Sequence, residues 1–335
     1  MYAQIMHDDG YFPRGTSILR QVQEERVVGL FYGQRALCIG ALAPLNFIGT
    51  AMHTASKAAP FKRLVRTGKH FETVFFGTRA EADRVLKGVA AQHGHVHGET
   101  PDDAGPFPAG TSYSAFDPQA MLWTFAVAAD SAQRFYELFV RRLSDQEREA
   151  LWQDYLRFGE LFGTPRDACP PTYGDYRAWY EDLLASDQMF LTDEARYTGY
   201  IVAFEIPFGR LQQPAKRVHD AIMLGSLPPR VRELYGLSYG LRQQLEFTAA
   251  VTAIRSGRLV MPAALAVGSC RADFDRIGRT ERQRIERGEP TPRVHPGDFP
   301  NPAYSSGKPL PVAGGRLRGA RPSGEVEHDL AGRAA

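Results

Sequence analysis

The sequence predicts an all-α protein, built as a single large helical domain and followed by a disordered tail. Apolar residues recur every three or four positions through most of the chain, which is the spacing of one helix face. Two capping boxes mark helix starts, Thr78 with Glu81 and Ser144 with Glu147. No segment shows the clear period of two that is typical of strands, and no internal repeat is visible. These observations together favour helices packed on helices.

Composition and charge restrict the classes of protein to which this chain can belong. Its 335 residues include 43% hydrophobic side chains, which is enough for a substantial core. The 40 basic residues nearly balance the 38 acidic ones, so the net charge of +2 indicates no nucleic-acid partner. Three cysteines are an odd number and share no CxxC spacing, which argues against a disulfide scaffold. We therefore expect reduced thiols in a cytoplasmic protein.

We predict that residues 1–16 form an extension that precedes the folded domain. They lack the basic start and apolar core of a secretory signal peptide, which also favours a cytoplasmic location. A helical pattern begins at Ser17, and the segment 36–52 is the most hydrophobic in the chain. Its 17 residues are interrupted by Pro44 and fall short of the ~20 that a transmembrane helix needs. We expect a buried core helix broken at Pro44, with shallow contact with a membrane surface as the alternative.

The stretch 60–98 predicts two helices joined at Gly77 and Thr78. Pro60 suits the first helical position because its missing N–H would have no partner there. One face of the first helix is polar and cationic, and it carries Arg63, Thr67, His70 and Val74, with Arg66 beside them. The second helix carries an apolar stripe at helical spacing, formed by Val85, Val89, His93 and Val96. His97 is expected one turn further along this helix, and His95 on the opposite side.

The remaining helices follow the same periodicity. The patterns predict helices at 118–143, 144–161, 173–184, 192–203, 230–237 and 242–257, the last two being the final packed ones. From about Arg284 the composition shifts to Pro, Gly, Ser and charge, which cannot bury enough surface to offset chain entropy. The predicted divisions are an extension, a helical domain and a tail that begins with a solvated helix extension, at 1–16, 17–283 and 284–335.

His93 is the candidate ligand of this predicted helix pair. A histidine on an apolar helix face is usually a satisfied core residue, but the neighbouring cationic helix favours a ligand. A buried imidazole facing Arg63 and Thr67 suits an iron porphyrin, because it supplies one axial nitrogen and the facing helix supplies donors for the propionates. The alternative is a non-haem metal, held by His93 and His97 on a helix or by all three histidines on a strand. No acidic residue lies at the spacing that such metal motifs have. A purely structural role for the histidines is the third possibility.

Several motifs occur in a fixed order along the chain. They are RLxRT at 63–67, FGT at 76–78 with Glu81-Ala82, HxxVxG at 93–98, YSAFDP at 113–118 and LW at 122–123. Supporting matches are Ala43-Pro44, His53-Thr54 and the segment from LPP at 227–229 to YGL at 235–237. Together they resemble the family of MpaB-type oxygenases and latex clearing protein (rubber oxygenase), over roughly 17–265. The resemblance implies an all-helical, globin-like fold that holds haem b.

The resemblance also implies roles for individual residues. The implied cofactor-binding residues are His93, as the iron ligand, with Arg63, Thr67, His70 and His97; the implied catalytic residues are Arg63, Arg66 and Thr67. Rubber oxygenase has a lysine that can ligate the iron where this chain has Arg66, and a guanidinium offers no lone pair. His70, one turn further, is the nearby replacement, and a supporting or surface role is its alternative. Arg63 could instead form an internal salt bridge, and Thr67 could bond its own helix carbonyl.

The function that the resemblance implies is oxidation by O₂. We expect a haem b-dependent oxygenase that hydroxylates or oxidatively cleaves an apolar, alkene-containing substrate of isoprenoid or polyene type. The alternatives are a haem-dependent oxygenase or peroxidase acting on an aromatic natural-product intermediate, and a haem-binding sensor or carrier without turnover. The expected partners are a small hydrophobic substrate, O₂ and an electron donor. Latex clearing proteins are typically exported, and this chain departs from that branch because its start resembles neither a secretory nor a twin-arginine signal.

Overall fold

The computed structural model of the protein describes residues 10–53, 59–208 and 212–288. The described residues form an all-α fold, as predicted, with one two-stranded sheet. The first elements are α1 (Ile18–Glu24), α2 (Arg26–Gly29), α3 (Tyr32–Gly40), α4 (Pro44–Met52), α5 (Pro60–Phe76), α6 (Arg79–His93), β1 (His97–Glu99) and β2 (Ser112–Ser114). The later helices are α7 (Pro118–Phe139), α8 (Asp145–Leu161), α9 (Tyr173–Ala185), α10 (Asp193–Phe204), α11 (Gln213–Ser226), α12 (Pro229–Tyr235), α13 (Leu241–Val260), α14 (Ala263–Ala266) and α15 (Arg271–Glu286). Two parts of the prediction lie outside the described residues. They are residues 1–9 of the extension and the part of the predicted tail from residue 289 onward.

Both predicted capping boxes are confirmed. At the start of α6 the Thr78 hydroxyl accepts from the backbone N–H of Glu81, and the Glu81 carboxylate accepts from the backbone N–H of Thr78 at 2.9 Å. Ser144 and Glu147 make the same reciprocal pair at the start of α8. Two N–H groups that the first helical turn leaves without partners are thus satisfied at each site.

One main apolar cluster holds the helices together, with residues from α1 through α13. Helix α7 lies at its centre and packs against α3 on one side and against α8 and α13 on others. Aromatic rings fill the space between α7, α8 and α9: Trp152 stacks on Tyr176 with 4.0 Å between ring centroids, and Trp123 stacks on Tyr180 at 5.6 Å. These large rings make up much of the buried apolar surface that drives folding.

The most hydrophobic segment is broken at Pro44, as predicted. Helix α3 ends at Gly40 and α4 begins at Pro44, where proline occupies a first-turn position. Among the described residues no single helix is long and apolar enough to cross a membrane. The pair Arg26–Gly40 and Pro44–Met52 passes that requirement together, with a bend of 104° between its halves. The alternative of shallow membrane contact stays a prediction.

Helix α15 packs along α5, although the sequence patterns place the last packed helix at 242–257. Its Phe274 ring lies over Gly68 of α5, where a Cβ atom would come within 2.9 Å of the ring. The prediction that the last packed helix lies at 242–257 is therefore wrong, since Phe274 and Ile277 of α15 are buried. Most residues of α15 are charged, and its short apolar stripe becomes buried only because α5 packs against it.

The second helix of the predicted pair ends earlier than expected. Helix α6 stops at His93, and His97 begins strand β1, which pairs antiparallel with β2 so that His97 lies opposite Ser114. The prediction that the helix continues to Val96 and His97 is therefore wrong. Gly94 follows the last helical residue, and the residues of β2 that pair with β1 lie 13 to 17 positions further along the chain.

Candidate functional site

Four elements converge around the end of α6. They are the first half of α5, the last residue of α6, the last turn of α4 and the turn that follows β2. The antiparallel β1–β2 pair brings the turn back beside α6, because the backbone N–H of Ala115 donates to the carbonyl of Val96 at 2.8 Å. Phe116 in this turn consequently meets His93 edge to face, with 5.9 Å between ring centroids.

The imidazole of His93 is half-buried and held in a neutral form. Burial, and then the positive charge of Arg63, lower the pKa of His93 below its usual value. Its Nδ1 atom is buried and has no hydrogen-bond partner within the described part of the chain. A buried polar atom without a partner is uncommon, and here it leaves a ring nitrogen free to bind a ligand.

Arg63 stands on α5 within reach of His93. One of its guanidinium nitrogens, Nη2, donates to the Thr50 hydroxyl on α4 at 3.2 Å. Its side chain keeps contact with solvent, yet crowding by protein atoms, and then the charge of Arg66, lower the pKa of Arg63 to about 10. The guanidinium remains protonated at neutral pH.

Arg66 and His70 continue the same face of α5. Arg66 is exposed, and no carboxylate in the described ranges forms an ion pair with it. Burial, and then the charge of Arg66, lower the pKa of His70. Thr67 lies half-buried between them. The predicted polar, cationic face is thus present as a continuous strip, which suits an anionic group.

The predicted stripe on α6 is half-buried rather than fully buried. Val85, Val89 and Val96 all keep partial solvent access, because α6 packs chiefly against α5. His95 is exposed, and so is His97 on the β1–β2 hairpin. The structure therefore places His93 near Arg63 but leaves the assignment of His97 to a cofactor as a prediction.

Sequence reasoning missed two residues that hold this arrangement together. Thr50 anchors Arg63, and Phe116 covers one side of the His93 ring. The YSAFDP motif contained Phe116 and was the available signal for it, whereas nothing local marks Thr50. A further pair lies beside them: the Tyr113 hydroxyl is 3.3 Å from His53 Nε2. The Tyr113 ring fits against Gly49 and Gly98, where an added Cβ atom would meet ring carbons at 3.1 and 3.2 Å.

An apolar wall adjoins the cationic strip on α5. Leu64 of α5 lies against α3, where a Cβ atom on Gly33 would sit 3.8 Å from Leu64 Cδ1. Leu37, one turn after Gly33, is 41% exposed on a helix whose other large side chains are mostly buried. The wall continues into a small cluster formed by Phe61, Ile201, Ile206 and Ile277, with Leu64, Val65, Tyr197 and Phe208 packed on it.

The described residues contain no group of three or more His, Cys, Asp or Glu side chains that could hold a metal ion. Cys38, Cys169 and Cys270 are free and buried, in line with the expectation of reduced thiols. Burial raises the pKa of Cys38 and of Cys270 to about 12, so both stay protonated thiols at neutral pH.

Comparison with known proteins gives one family and two relatives. The family model described as "ER-bound oxygenase mpaB/B'/Rubber oxygenase, catalytic domain" matches residues 19–256. The relatives are "Uncharacterized protein Mb2261" of Mycobacterium bovis and "Uncharacterized protein Rv2237" of Mycobacterium tuberculosis. Each is 23% identical over 203 residues, which cover 61% of this chain and 76% of the relative. No solved structure matches the chain.

Proposed function

The chain belongs to the ER-bound oxygenase mpaB/B'/rubber oxygenase catalytic-domain family, and we propose that it is a haem b-dependent oxygenase. In this proposal it uses O₂ to hydroxylate or oxidatively cleave a small apolar substrate that contains alkene bonds, of isoprenoid or polyene type. The family supplies the reaction class, and the residues around His93 support the choice of cofactor.

The observation that carries the proposal is the imidazole of His93. Its Nδ1 atom is buried without a partner in the described ranges, and its lowered pKa leaves the ring neutral at pH 7. A haem iron needs as little as one axial nitrogen from the protein, whereas a non-haem site needs three or more ligands. A single available imidazole therefore favours haem over the non-haem alternative.

The cationic strip on α5 also supports haem as the cofactor. Haem b carries two propionates, and Arg63 can donate paired hydrogen bonds to a carboxylate. Thr50 holds the Arg63 guanidinium at 3.2 Å, so less side-chain freedom is lost when an anion binds. Arg66 adds a second positive charge on the same helix face.

Each residue has a task in the mechanism. Haem b, when bound, supplies the redox-active iron that reacts with O₂. His93 offers a neutral nitrogen, and Phe116 limits rotation of its ring by contact along one side. Leu64, which packs on the small cluster around Phe61, offers an apolar surface beside the strip that suits an alkene chain. Burial, and then the charge of Arg66, lower the pKa of His70, so the ring is a neutral hydrogen-bonding group beside the strip.

Haem binding is tested on purified protein reconstituted with haem, by absorption spectroscopy and a pyridine haemochrome assay. We expect a Soret band for the unaltered protein and its loss or collapse in His93→Ala. His95→Ala is the matched control, because His95 is exposed two residues later and should leave the band unchanged. Retention of haem by His93→Ala, or equal loss from both variants, would contradict the assignment.

Turnover is tested separately by O₂ uptake. The haem-loaded protein is given an isoprenoid alkene, a conjugated polyene or an aromatic compound, together with a reductant. We expect uptake that depends on one of the alkenes. Uptake with the aromatic compound alone would indicate an enzyme that acts on an aromatic intermediate. Haem binding without any uptake would indicate a sensor or carrier.

A further inference from the structure

Tyr113 lies between two parts of the molecule that each hold one residue of the candidate site. It is the middle residue of β2, in the hairpin whose following turn carries Phe116 to His93. Its ring reaches across to α4, the helix on which Thr50 holds Arg63. The contacts of Tyr113 therefore join the surroundings of His93 to those of Arg63.

The ring of Tyr113 is packed between two glycines. An added Cβ atom on Gly49 of α4 would lie 3.1 Å from Tyr113 Cδ2. An added Cβ atom on Gly98 of β1 would lie 2.9 Å from the Tyr113 hydroxyl oxygen and 3.2 Å from Cζ. These distances are tighter than ordinary van der Waals contacts. Glycine at both positions therefore lets α4 and the hairpin approach each other with one aromatic ring between them.

The hydroxyl end of the ring also contacts α4. The Tyr113 hydroxyl lies 3.3 Å from Nε2 of His53, which follows Gly49 by one turn at the end of α4. The two rings meet edge to face, with 6.2 Å between their centroids. Burial raises the pKa of Tyr113, so the phenol keeps the proton that it can donate to the imidazole. The ring is thus held along its edge and at its tip.

These contacts form a closed circuit around the candidate site. Thr50 of α4 accepts a hydrogen bond from Arg63 at 3.2 Å, and the positive charge of Arg63 acts on His93. His93 in turn contacts Phe116, and the backbone leads from there to Tyr113 and back to α4. In such a circuit, a side chain that sets the spacing of two elements also sets the positions of the groups that depend on them.

We propose that Tyr113 is a positioning residue that sets the separation of His93 and Arg63 by holding α4 against the β1–β2 hairpin. The inference rests on the proposed function, because it concerns two residues that would bind one haem from different helices. The iron and the propionates belong to one rigid group, so an imidazole and a guanidinium bind them together only at a fixed separation. Movement of α4 away from the hairpin would weaken haem binding without a change in either residue.

The contact is tested first in the haem-free protein, by the distance between α4 and the hairpin. Spin labels are attached to Met52→Cys at the end of α4 and to His95→Cys before β1. Both positions are exposed, and the three native cysteines are buried. Electron paramagnetic resonance should give a narrow distribution of label distances. Tyr113→Ala should broaden it, and Tyr113→Phe should not, because phenylalanine still fills the space between the glycines.

The effect on the candidate site is tested by haem affinity. Tyr113→Ala should raise the dissociation constant for haem about tenfold, and Tyr113→Phe should leave it within about twofold. In an Arg63→Leu background, Tyr113→Ala should raise it about threefold or less, because no guanidinium is left to position. Such coupling between two substitutions distinguishes a positioning role from a general loss of stability.

Gly98→Ala is a milder test of the same contact. The added Cβ atom displaces the Tyr113 ring, so this substitution should broaden the label distances and weaken haem binding. It should have no further effect when combined with Tyr113→Ala, which removes the ring that the Cβ atom meets. Tyr173→Ala is the matched control, because this half-buried tyrosine lies at the start of α9. It should lower the melting temperature and leave the label distances and the haem affinity unchanged.

Two results would overturn the proposal. One is a distribution of label distances that neither Tyr113→Ala nor Gly98→Ala changes. The other is a loss of haem affinity in Tyr113→Ala that is equally large with and without Arg63. A protein that shows the expected label distances but binds no haem would contradict the proposed function, while supporting the role of Tyr113 in holding α4 against the hairpin.

Discussion

Two effects that act in the same direction keep His93 neutral. Burial disfavours the imidazolium, and the guanidinium of Arg63 repels it; both lower the pKa of His93. A ligand histidine must be neutral to offer a lone pair, so the positive strip on α5 serves two purposes. In the proposed haem protein it would attract the propionates and keep the facing imidazole neutral for the iron.

Arg63→Leu is expected to raise the pKa of His93 in the haem-free protein. The substitution keeps an apolar stem in place but removes the positive charge, so the imidazolium loses its repulsion and the ring protonates at higher pH. Titration of the histidine ring protons by nuclear magnetic resonance measures the shift, with the His93 signal identified by its absence in His93→Ala.

Arg66→Leu provides the reciprocal control. Arg66 lowers the pKa of His70, so its removal should raise the pKa of His70 and affect His93 less than Arg63→Leu does. If the two variants shift His93 equally, the local contact between Arg63 and His93 is not the source of the effect.

At the scale of elements, α5 and α15 cap each other. The Glu72 carboxylate of α5 accepts from the backbone N–H of Cys270 at 2.5 Å, at the start of α15. The Glu281 carboxylate of α15 accepts from the backbone N–H of Phe61 at 3.1 Å, at the start of α5. Each helix thus satisfies N–H groups that the other leaves without partners, and the pair is held at both ends. This fixes the helix that carries the candidate site.

Gly68→Ala tests the close approach of these two helices. The added Cβ atom would lie 2.9 Å from the far edge of the buried Phe274 ring, so the ring or the two helices must shift. Overpacking of this kind costs about 1–3 kcal/mol, partly offset by up to ~1 kcal/mol of helix propensity. Urea unfolding should therefore show a net loss of stability.

Gly88→Ala on α6 is the matched control for this test. A Cβ atom there meets nothing within 4 Å, so the same substitution should stabilise the protein by about 0.5–1 kcal/mol. A gain of stability at both positions would mean that α15 does not press on Gly68.

Glu281→Gln tests the cap at the other end. Burial raises the pKa of Glu281 to about 7, so the folded state keeps a proton that the unfolded chain releases near pH 4.5. Stability from this group therefore falls as the pH rises from about 4.5 to 7. Glutamine keeps an acceptor oxygen for Phe61 without a charge, so the variant should gain up to about 3 kcal/mol at pH 8 and little at pH 4.5.

The measurement is thermal or urea unfolding at both pH values. Glu286→Gln, an exposed position at the end of the same helix, should change stability little at either pH. Equal effects of Glu281→Gln at pH 4.5 and pH 8 would show that Glu281 does not titrate between them in the folded protein.

At the scale of the whole molecule, Asp130 of α7 joins four helices. Arg35 of α3 donates to Asp130 Oδ2 at 2.7 Å and also to the carbonyl of Ser226 at the end of α11. Arg177 of α9 donates to Asp130 Oδ1 at 2.6 Å. Burial works against ionisation, but the two guanidiniums outweigh it and lower the pKa of Asp130. The carboxylate stays ionised well below neutral pH.

Asp130→Asn is expected to destabilise the fold by about 3–5 kcal/mol. Removing one partner of a buried ion pair leaves the remaining charge uncompensated, and Arg35 is only 3% exposed. Urea unfolding measures the loss, and Asp182→Asn on the exposed side of α9 is the control. A loss below about 1 kcal/mol would mean that water or neighbouring groups compensate Arg35.

Much of this protein could be predicted from residues close together in the chain. The capping boxes at Thr78 and Ser144, the break at Pro44 and the family motifs all depend on neighbours within a few positions. Helix starts and breaks follow from such neighbours because the hydrogen bonds of a helix span four residues. The sequence by itself therefore determined the fold class, the family and the choice of His93 as the candidate ligand.

Contacts between distant residues decided the rest. Strand pairing with Ser114 ends the helical run before His97, and docking on α5 buries the apolar stripe of α15. The anchoring of Arg63 by Thr50 and the raised pKa of Glu281 likewise arise between helices that are separate in sequence. Local patterns cannot reveal these features, because burial and charge depend on which elements meet, and only the tertiary structure sets that.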